Sequence, residues 1–397
     1  MNIKQITSHV FYAGVNDRTT PLFESLWQLP LGVSYNSYIV KGNEKTALID
    51  GTHLGFTDTL ISNVLELTGG KAPDYLVINH MEPDHSGAVG LLKLAFPEII
   101  IVGNAKTADM VKGYHHVTEG VMTIKDGDTI DLGGLHLSFH LTPMVHWPET
   151  MMTFCIEDKV LFTGDAFGCF GALNGAVIDN EMDTAAYFPE MMRYYSNIVA
   201  KYGTFVQKAF TKVGGLEFEY VCSTHGPVWH DEKDKVLNLY SAMSRWEAEE
   251  GVVIVYGSMY GNTQALAEEM AVALAERGIK SIKIHNAGNS PLSFILADIM
   301  RYKGVLLASP TYNGEIFPPM ETVVKALTTR GMANRTVATI GSFTWGPQAV
   351  KKMRTMLSDA KIDVIDPIVE MRQSPDSTLP QQCAVLADAM VEAIRKA

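Results

Sequence analysis

The sequence has few cysteines, and no two of them form a closely spaced pair. Cys155, Cys169, Cys222 and Cys383 are separated by gaps of 14, 53 and 161 residues. The lack of a CxxC pair argues against a zinc ribbon, a thioredoxin-type redox pair and a built-in iron–thiolate site. Cysteines this sparse are typical of proteins from a reducing compartment.

Long apolar runs and an excess of positive charge are also missing. No apolar run approaches the roughly 18 residues that a membrane-spanning helix needs, and the start, MNIKQITSHV, is too polar for a secretory signal. The 32 Lys and Arg residues against 44 Asp and Glu give a net charge of -12, which attracts neither nucleic acid nor an anionic membrane. We therefore expect a cytoplasmic protein that binds neither.

Length and composition indicate a folded chain with more than one core. A chain of 397 residues with 47% hydrophobic and 19% charged residues has room for two to three domains. A polar helical stretch, SAMSRWEAEEG, is followed by the β-branched run VVIVY. We place a domain boundary there, giving domains 1–248 and 249–397.

The second domain alternates strands and helices. The clearest helix is Asn262–Arg277, with Gly278 as its stop signal. The predicted strands are Val252–Tyr256, Ile282–His285, Val305–Ala308, Thr336–Ile340 and Val364–Glu370. Five strands with intervening helices predict a doubly wound parallel sheet, an α/β fold.

The first domain is richer in strands and irregular loops. Helices are predicted at Phe56–Leu67 and Ala88–Leu94, and TFCIEDKVLFTGDAF reads as a hairpin that turns at Glu157-Asp158-Lys159. Composition leaves two arrangements open, a general α+β fold and an αββα sandwich.

Metal-ligand residue types follow several strands of this first domain. The strand DYLVIN runs into HMEPDH, and three later loops carry one ligand type each. The candidate ligands are His80, Glu82, Asp84, His85, His146, Asp165 and His225. HMEPDH alone could be a charged turn, but burying all these ionisable groups without a partner would be prohibitive. Seven ligands suit two metals, with Asp165 as the natural bridge, and the mixed imidazole and carboxylate set fits iron or manganese without excluding zinc.

Three loops of the second domain predict a flavin site. Each follows a parallel strand, where such sheets bind ligands. The first loop leads into a helix and offers hydroxyls and backbone N–H groups to a phosphate. It lacks a GK[ST] motif, which argues against a P-loop nucleotidase. Tyr312 and Trp345 could stack on an isoalloxazine, or simply cap the sheet edge. The candidate FMN-binding residues are Ser258, Met259, Tyr260, Gly261, Asn262, Thr263, Pro310, Thr311, Tyr312, Asn313, Gly314, Ser342, Phe343, Trp345 and Gly346.

Together these motifs resemble the flavodiiron proteins over essentially the whole chain. HxExDH followed by H, D and H is similar to the metallo-β-lactamase superfamily, and Glu82 stands where its hydrolases usually carry a second histidine. The loops TPMVHWPE and STHGPVW also look like this family, and the loop before the first helix of the second domain resembles the phosphate loop of flavodoxins. Two departures are minor: Glu149 stands where aspartate is frequent, and the phosphate loop reads SMYGNT rather than a threonine-rich variant.

The resemblance implies a metallo-β-lactamase-like αββα domain followed by a flavodoxin-like domain with FMN. It implies that one iron is bound by His80, Glu82 and His146 and that Asp165 bridges to the second. The second iron would be bound by Asp84, His85 and His225, although a water replaces the His85 ligand in some members. Tyr195, in RYYSNI, is either a proton donor or a core residue.

The implied activity is reduction of dioxygen to water, of nitric oxide to nitrous oxide, or of both, at a diiron site fed through FMN. The implied assembly is a head-to-tail homodimer or a homotetramer, with an external electron donor such as rubredoxin or a reduced deazaflavin. Two alternatives remain: a dinuclear zinc hydrolase with a flavodoxin-like regulatory domain, against which Glu82 counts, and a non-catalytic electron carrier or gas sensor.

Overall fold

In a computed structural model, which describes residues 3–396, the chain folds as two units. One comprises Met1–Tyr195 and Tyr202–Ser244, and the other Ser196–Lys201 and Arg245–Ala397. The division at Ser244 lies four residues before the predicted boundary, and a short segment, 196–201, belongs to the second unit. Residues 1, 2 and 397 lie outside the described residues. The first two begin the predicted first domain and its polar start segment, and the last ends the predicted second domain.

The first unit, from residue 3 onward, contains two main sheets and two small ones. Its strands are β1 Lys4–Gln5, β2 Val10–Tyr12, β3 Val15–Asp17, β4 Leu22–Phe23, β5 Trp27–Gln28, β6 Val33–Tyr35, β7 Tyr38–Lys41, β8 Thr46–Ile49, β9 Tyr75–Val77, β10 Ile100–Gly103, β11 Val121–Thr123, β12 Thr129–Asp131, β13 His136–Leu141, β14 Met151–Cys155, β15 Val160–Gly164 and β16 Tyr220–Ser223. The seven-stranded sheet has the order β1-β2-β7-β8-β9-β10-β11, and the five-stranded sheet has the order β12-β13-β14-β15-β16. The predicted hairpin is confirmed, because β14 and β15 pair antiparallel.

Seven α-helices accompany these strands in the described part of the first unit. They are α1 Thr57–Thr68, α2 Pro83–Ser86, α3 Val89–Ala95, α4 Ala105–His115, α5 Tyr187–Tyr194, α6 Gly203–Val213 and α7 Lys233–Ser244. Helices α1 and α3 match the predicted ones to within one residue at each end. Their apolar side, including Leu60, Val64 and Leu92, packs against strand residues such as Leu48 and Ile101 in one buried cluster. Burial of each such side chain contributes about 1.5–3 kcal/mol.

The second unit is a doubly wound sheet, as predicted. Its elements are β17 Glu249–Tyr256, α8 Asn262–Glu276, β18 Ile282–Asn286, α9 Leu292–Arg301, β19 Tyr302–Tyr312, β20 Glu315–Ile316, α10 Pro318–Thr329, β21 Thr336–Phe343, α11 Ala349–Asp359, β22 Val369–Arg372 and α12 Leu379–Lys396. The main strands run parallel in the order β18-β17-β19-β21-β22, which is the flavodoxin-like order 2-1-3-4-5.

The fifth strand of this sheet begins later than the sequence indicates. Val364 makes only an isolated bridge to Val337, and regular pairing with β21 starts at Val369. Between them stands Pro367, which has no backbone N–H to donate to a ladder.

Helix α8 ends at Glu276, and Gly278 follows with a positive φ of 87°, in agreement with its role as a stop signal.

Among the described residues, no helix is both long and apolar enough to span a bilayer. All four cysteines are buried and none is in a disulfide.

Candidate metal centre and flavin site

The four ligand-bearing loops of the first unit begin at strand ends. His80 to His85 follow β9, while Asp165 and His225 follow the parallel neighbours β15 and β16. His146 lies between β13 and β14. Parallel strands end at the same sheet edge, and the hydrogen bond from Thr224 N to Gly164 O (2.9 Å) holds two of the loops together.

The structure brings all seven predicted ligands together in two adjoining groups. The first group is His80, Glu82, His146 and Asp165, and the second is Asp84, His85 and His225. The ligand atoms within each group lie within 4.8 Å of one another. This is the division that the family resemblance implies, and metal binding by these residues remains a prediction.

Asp165 faces both groups, one carboxylate oxygen to each. Its Oδ2 lies 3.1 Å from His146 Nε2 and 3.5 Å from His80 Nε2. Its Oδ1 lies 2.9 Å from His85 Nε2 and 3.8 Å from His225 Nε2. Thr224 Oγ1 donates to the same Oδ1 at 2.7 Å and fixes the carboxylate plane. The geometry is that of a carboxylate able to bridge two cations.

Several polar atoms of the cluster lie close to charged neighbours but make no well-aligned hydrogen bond in the described protein. They are both carboxylate oxygens of Asp84, both ring nitrogens of His85, and Nε2 of His225. His85 and His225 are at most 1% exposed. Buried polar atoms normally have hydrogen-bond partners, so a convergent group of atoms that lacks them indicates an ion-binding site. Two ligand atoms that each lie about 2.1 Å from a common metal are about 3 Å apart. The distances from Asp84 Oδ2 to His85 Nε2 and to His225 Nε2, both 3.2 Å, match this spacing.

Two ligand rings are oriented by partners on their outer nitrogen. His80 Nδ1 donates to Glu149 Oε1 at 2.8 Å, and His225 Nδ1 donates to the carbonyl oxygen of Ser34 at 2.7 Å. In both rings, Nε2 is left free to bind a metal. A hydrogen bond from the other ring nitrogen to a carboxylate or carbonyl is the usual support of a metal-ligating histidine. Sequence reasoning noted Glu149 only as a departure from the family and missed Ser34 entirely.

Electrostatics couple the imidazoles to the carboxylates. Burial opposes charge on the rings, but Asp84 and Asp165 raise the pKa of His85 to about 9, and hydrogen bonds with Asp165 and Glu82 raise the pKa of His146 to about 9. Burial would raise the pKa of Asp165, yet His85 and His80 hold that pKa well below its usual range. The metal-free cluster therefore holds protons where a metal would bind.

A cavity of about 360 Å³ opens onto this cluster at Glu82 and Asp84. Phe23 forms part of its wall, and the Phe23 ring lies edge-on to His225, with centroids 5.5 Å apart. Tyr35 and His53 also line it, as do Thr20, Glu24 and Ser25 from the segment around the β4–β5 hairpin. A small molecule that enters here meets two of the candidate ligands directly.

The tyrosine nearest the cluster is Tyr194. Its ring lies 5.5 Å from His225 between centroids, and its hydroxyl is buried without a hydrogen-bond partner in the described structure. Burial and the charges of Asp165 and Glu82 raise its pKa well above 10, so the hydroxyl keeps its proton. Tyr195, the predicted donor, instead packs on Tyr240 at 4.9 Å, and only burial raises its pKa. Sequence could not separate these adjacent tyrosines.

The predicted flavin loops line one cavity of about 430 Å³ in the second unit, within the usual range for cofactor sites. All the candidates except Gly261 line it. Gly261 has a φ of 92° at the start of α8, where its N–H donates to Ser258 Oγ at 3.0 Å and so shapes the phosphate loop. Thr344, Gln348 and Gln373 line it as well. Gln373 directly follows β22, a strand-end position that the sequence argument did not use.

The chemistry of this cavity fits FMN. None of its lining side chains is charged, so a phosphate would be held by hydroxyls, amides and the start of α8. Thr263 and Ser342 hydroxyls lie 2.8 Å apart and join two of the loops. Tyr260 and Trp345 are each 92% exposed, which leaves their faces free to cover a planar ring.

Comparison with known proteins agrees with both units. Residues 33–226 match the family model described as ODP family beta lactamase, and residues 254–385 match the Flavodoxin model. The anaerobic nitric oxide reductase flavorubredoxin of Escherichia coli O1:K1 / APEC is 34% identical over 338 residues, 84% of this chain and 70% of that protein.

Solved structures resemble the whole chain. Rubredoxin oxygen:oxidoreductase from Desulfovibrio gigas superposes with a TM-score of 0.95 at 26% identity, covering 100% of this chain and 99% of that one. The flavodiiron protein from Giardia intestinalis gives 0.94 at 23% identity, with 100% and 98% covered, and supports the fold alone. The predicted pair of folds, β-lactamase-like and flavodoxin-like, is confirmed. The chain therefore belongs to the flavodiiron proteins, an oxidoreductase family whose members carry FMN and a diiron centre.

Proposed function

We propose that this protein reduces dioxygen to water and nitric oxide to nitrous oxide at two irons held by the seven-residue cluster. The observation that carries the proposal is Asp165, whose two oxygens face two separate groups of nitrogen and oxygen ligands. Bound there, an iron pair supplies two electrons and open coordination positions, and FMN supplies two more electrons. Four electrons and four protons take dioxygen to two waters, and two electrons and two protons take two nitric oxides to one nitrous oxide and one water.

The protein's own groups position and protect this chemistry. Glu149 and Ser34 hold the His80 and His225 rings, and Thr224 holds Asp165. Phe23 and Tyr194 flank His225 and exclude water from its face. Both tyrosine hydroxyls are buried and keep their protons, but only Tyr194 lies against a candidate ligand, His225. We therefore assign Tyr194, rather than Tyr195, the donation of a hydrogen bond to substrate.

That assignment has a paired test. Tyr194→Phe should lower turnover with dioxygen or nitric oxide by about 100- to 1000-fold, the usual range for losing one preorganised donor to the reacting group. Tyr195→Phe, the matched control one residue away, should leave turnover within about twofold. Equal losses in the two variants, or a loss only in Tyr195→Phe, would return the role to Tyr195.

We propose that electrons reach the FMN from a separate donor; the 397 residues contain no CxxC pair of the kind that a rubredoxin-like centre uses. By family we propose rubredoxin as donor, with a reduced deazaflavin as the other candidate. We also propose a head-to-tail homodimer, or a homotetramer built from it. Sedimentation at catalytic dilution tests the assembly, and a fully active monomer would contradict it.

The decisive experiment is metal and flavin analysis of anaerobically purified protein, followed by paired oxygen and nitric oxide consumption. Two irons and one FMN per chain, with gas consumption driven by reduced rubredoxin, are the expected result. Two zincs that persist under ample iron, with turnover of an ester or phosphodiester, would instead establish the hydrolase.

A further inference from the structure

The cavity above Glu82 and Asp84 contains one ring nitrogen donor that the proposed mechanism has not used. Its lining side chains include three carboxylates, those of Glu24, Glu82 and Asp84, and neither lysine nor arginine. Trp27 Nε1 donates to Glu24 Oε2 at 2.8 Å. Any ligand that carries negative charge into this cavity therefore needs a hydrogen-bond donor, and His53 offers one.

The local backbone fixes which nitrogen of His53 carries hydrogen. Gly55 N–H donates to His53 Nδ1 at 3.2 Å, as the cap of the short 3-10 turn Leu54–Phe56. Because Nδ1 accepts, the neutral ring must carry its hydrogen on Nε2. No described residue accepts a hydrogen bond from that Nε2.

Aromatic contacts fix the position of the ring as well. His53 stacks on Tyr35 with centroids 6.0 Å apart and planes 26° apart, and it meets Phe56 edge-on at 6.4 Å. Tyr35 in turn contacts the ring of His225 at 5.8 Å. His53 itself is exposed, so it lies where the cavity meets solvent, and its stacking partner Tyr35 contacts a candidate iron ligand edge-on.

We propose that His53 donates a hydrogen bond from Nε2 to small oxygen- or nitrogen-bearing ligands, neutral or anionic, that enter this cavity. The proposal rests on the proposed function, since it takes the cluster below the cavity to hold iron. A preorganised donor costs little to align, whereas the rotatable hydroxyls of Thr20, Ser25 and Tyr35 must be ordered first. The sequence alone gave no reason to single out His53 from the other histidines.

The test uses azide as the probe and iron-loaded holoprotein. His53→Phe keeps a ring to stack on Tyr35 and removes both nitrogens, and we expect azide to bind about tenfold more weakly, a change of about 1.4 kcal/mol. His53→Gln keeps an amide donor and should stay within about threefold of wild type. The infrared stretch of bound azide, recorded alongside, should shift in His53→Phe.

The matched control is His230→Phe. His230 also stacks on a tyrosine, Tyr220, at 4.2 Å, and its Nδ1 also contacts the backbone, at Glu219 O, yet it does not line the cavity. Its azide affinity should equal that of wild type. Iron, FMN and thermal unfolding are measured for each variant, so that a folding defect shows itself.

Three outcomes overturn the proposal: unchanged azide affinity in His53→Phe, equal weakening in His53→Gln, or equal weakening in His230→Phe. A wild-type protein that holds two irons and binds azide, combined with any of these, leaves the proposed function intact. A wild-type protein that holds no iron pair refutes the proposed function first, and this role of His53 with it.

Discussion

Removing the carboxylate of Glu149 should weaken iron binding without touching an iron ligand. Glu149 is 1% exposed, and its Oε1 accepts from His80 Nδ1 at 2.8 Å and from Met81 N at 2.9 Å. Burial would raise the pKa of Glu149, but its hydrogen bond with His80 lowers that pKa, so it acts as a carboxylate at neutral pH. Glu149→Ala therefore frees the His80 ring and leaves the Met81 N–H buried and unpaired.

The magnitude follows from these contacts. Loss of an outer partner of a metal-ligating histidine costs about 10- to 100-fold in metal affinity, or about 1.4–2.7 kcal/mol. The assay is iron retained per chain against a competing chelator of known affinity. Glu149→Gln keeps an oxygen acceptor without the charge and should fall between Glu149→Ala and wild type.

The chain offers a close control in Glu157. Its carboxylate accepts from His136 N and meets His136 Nδ1, each at 2.7 Å, but on an exposed surface of the same unit. Glu157→Ala should leave iron affinity unchanged. If Glu149→Ala retains iron within about twofold of wild type, or if Glu157→Ala loses as much, the argument from ring orientation is wrong.

Three further outcomes are expected. Asp165→Ala should reduce iron to at most one per chain and abolish gas reduction while one FMN stays bound, and normal turnover would refute the bridging role. In metal-free protein, His85 and His146 have pKa values raised to about 9, so their stabilisation is complete below about pH 6.5 and is lost as pH rises to 9. One such imidazole contributes about 3 kcal/mol at most, and less when both share Asp165; a melting temperature equal at pH 6.5 and 9 would contradict this. Thr263→Val should weaken FMN binding about tenfold with iron unchanged, whereas Thr322→Val, which removes an exposed helical hydroxyl on α10, should leave FMN binding unchanged, as fluorescence titration would show.

Much of the fold was predictable because local signals agree with the tertiary structure. Helix α8 shows this: its apolar positions and Gly278 predict both its buried side and its end. Strand β22 shows the limit, since VIDPIVE is rich in valine and isoleucine on both sides of Pro367 and pattern alone places the start of the strand five residues early. Regular pairing with β21 begins only after Pro367, at Val369, and this is visible only from the register of the two strands.

The candidate site divides along the same line. Sequence by itself determined the ligand types and their loops, because polar residues directly after apolar strands have few other physical explanations, and it determined an uncharged phosphate loop before α8. Only the tertiary structure decided that Asp165 turns one oxygen to each ligand group, that Tyr194 and not Tyr195 faces them, and that Glu149 and His53 stand beside them. Those facts depend on side-chain directions and on contacts between residues far apart in the chain, which a linear pattern does not carry.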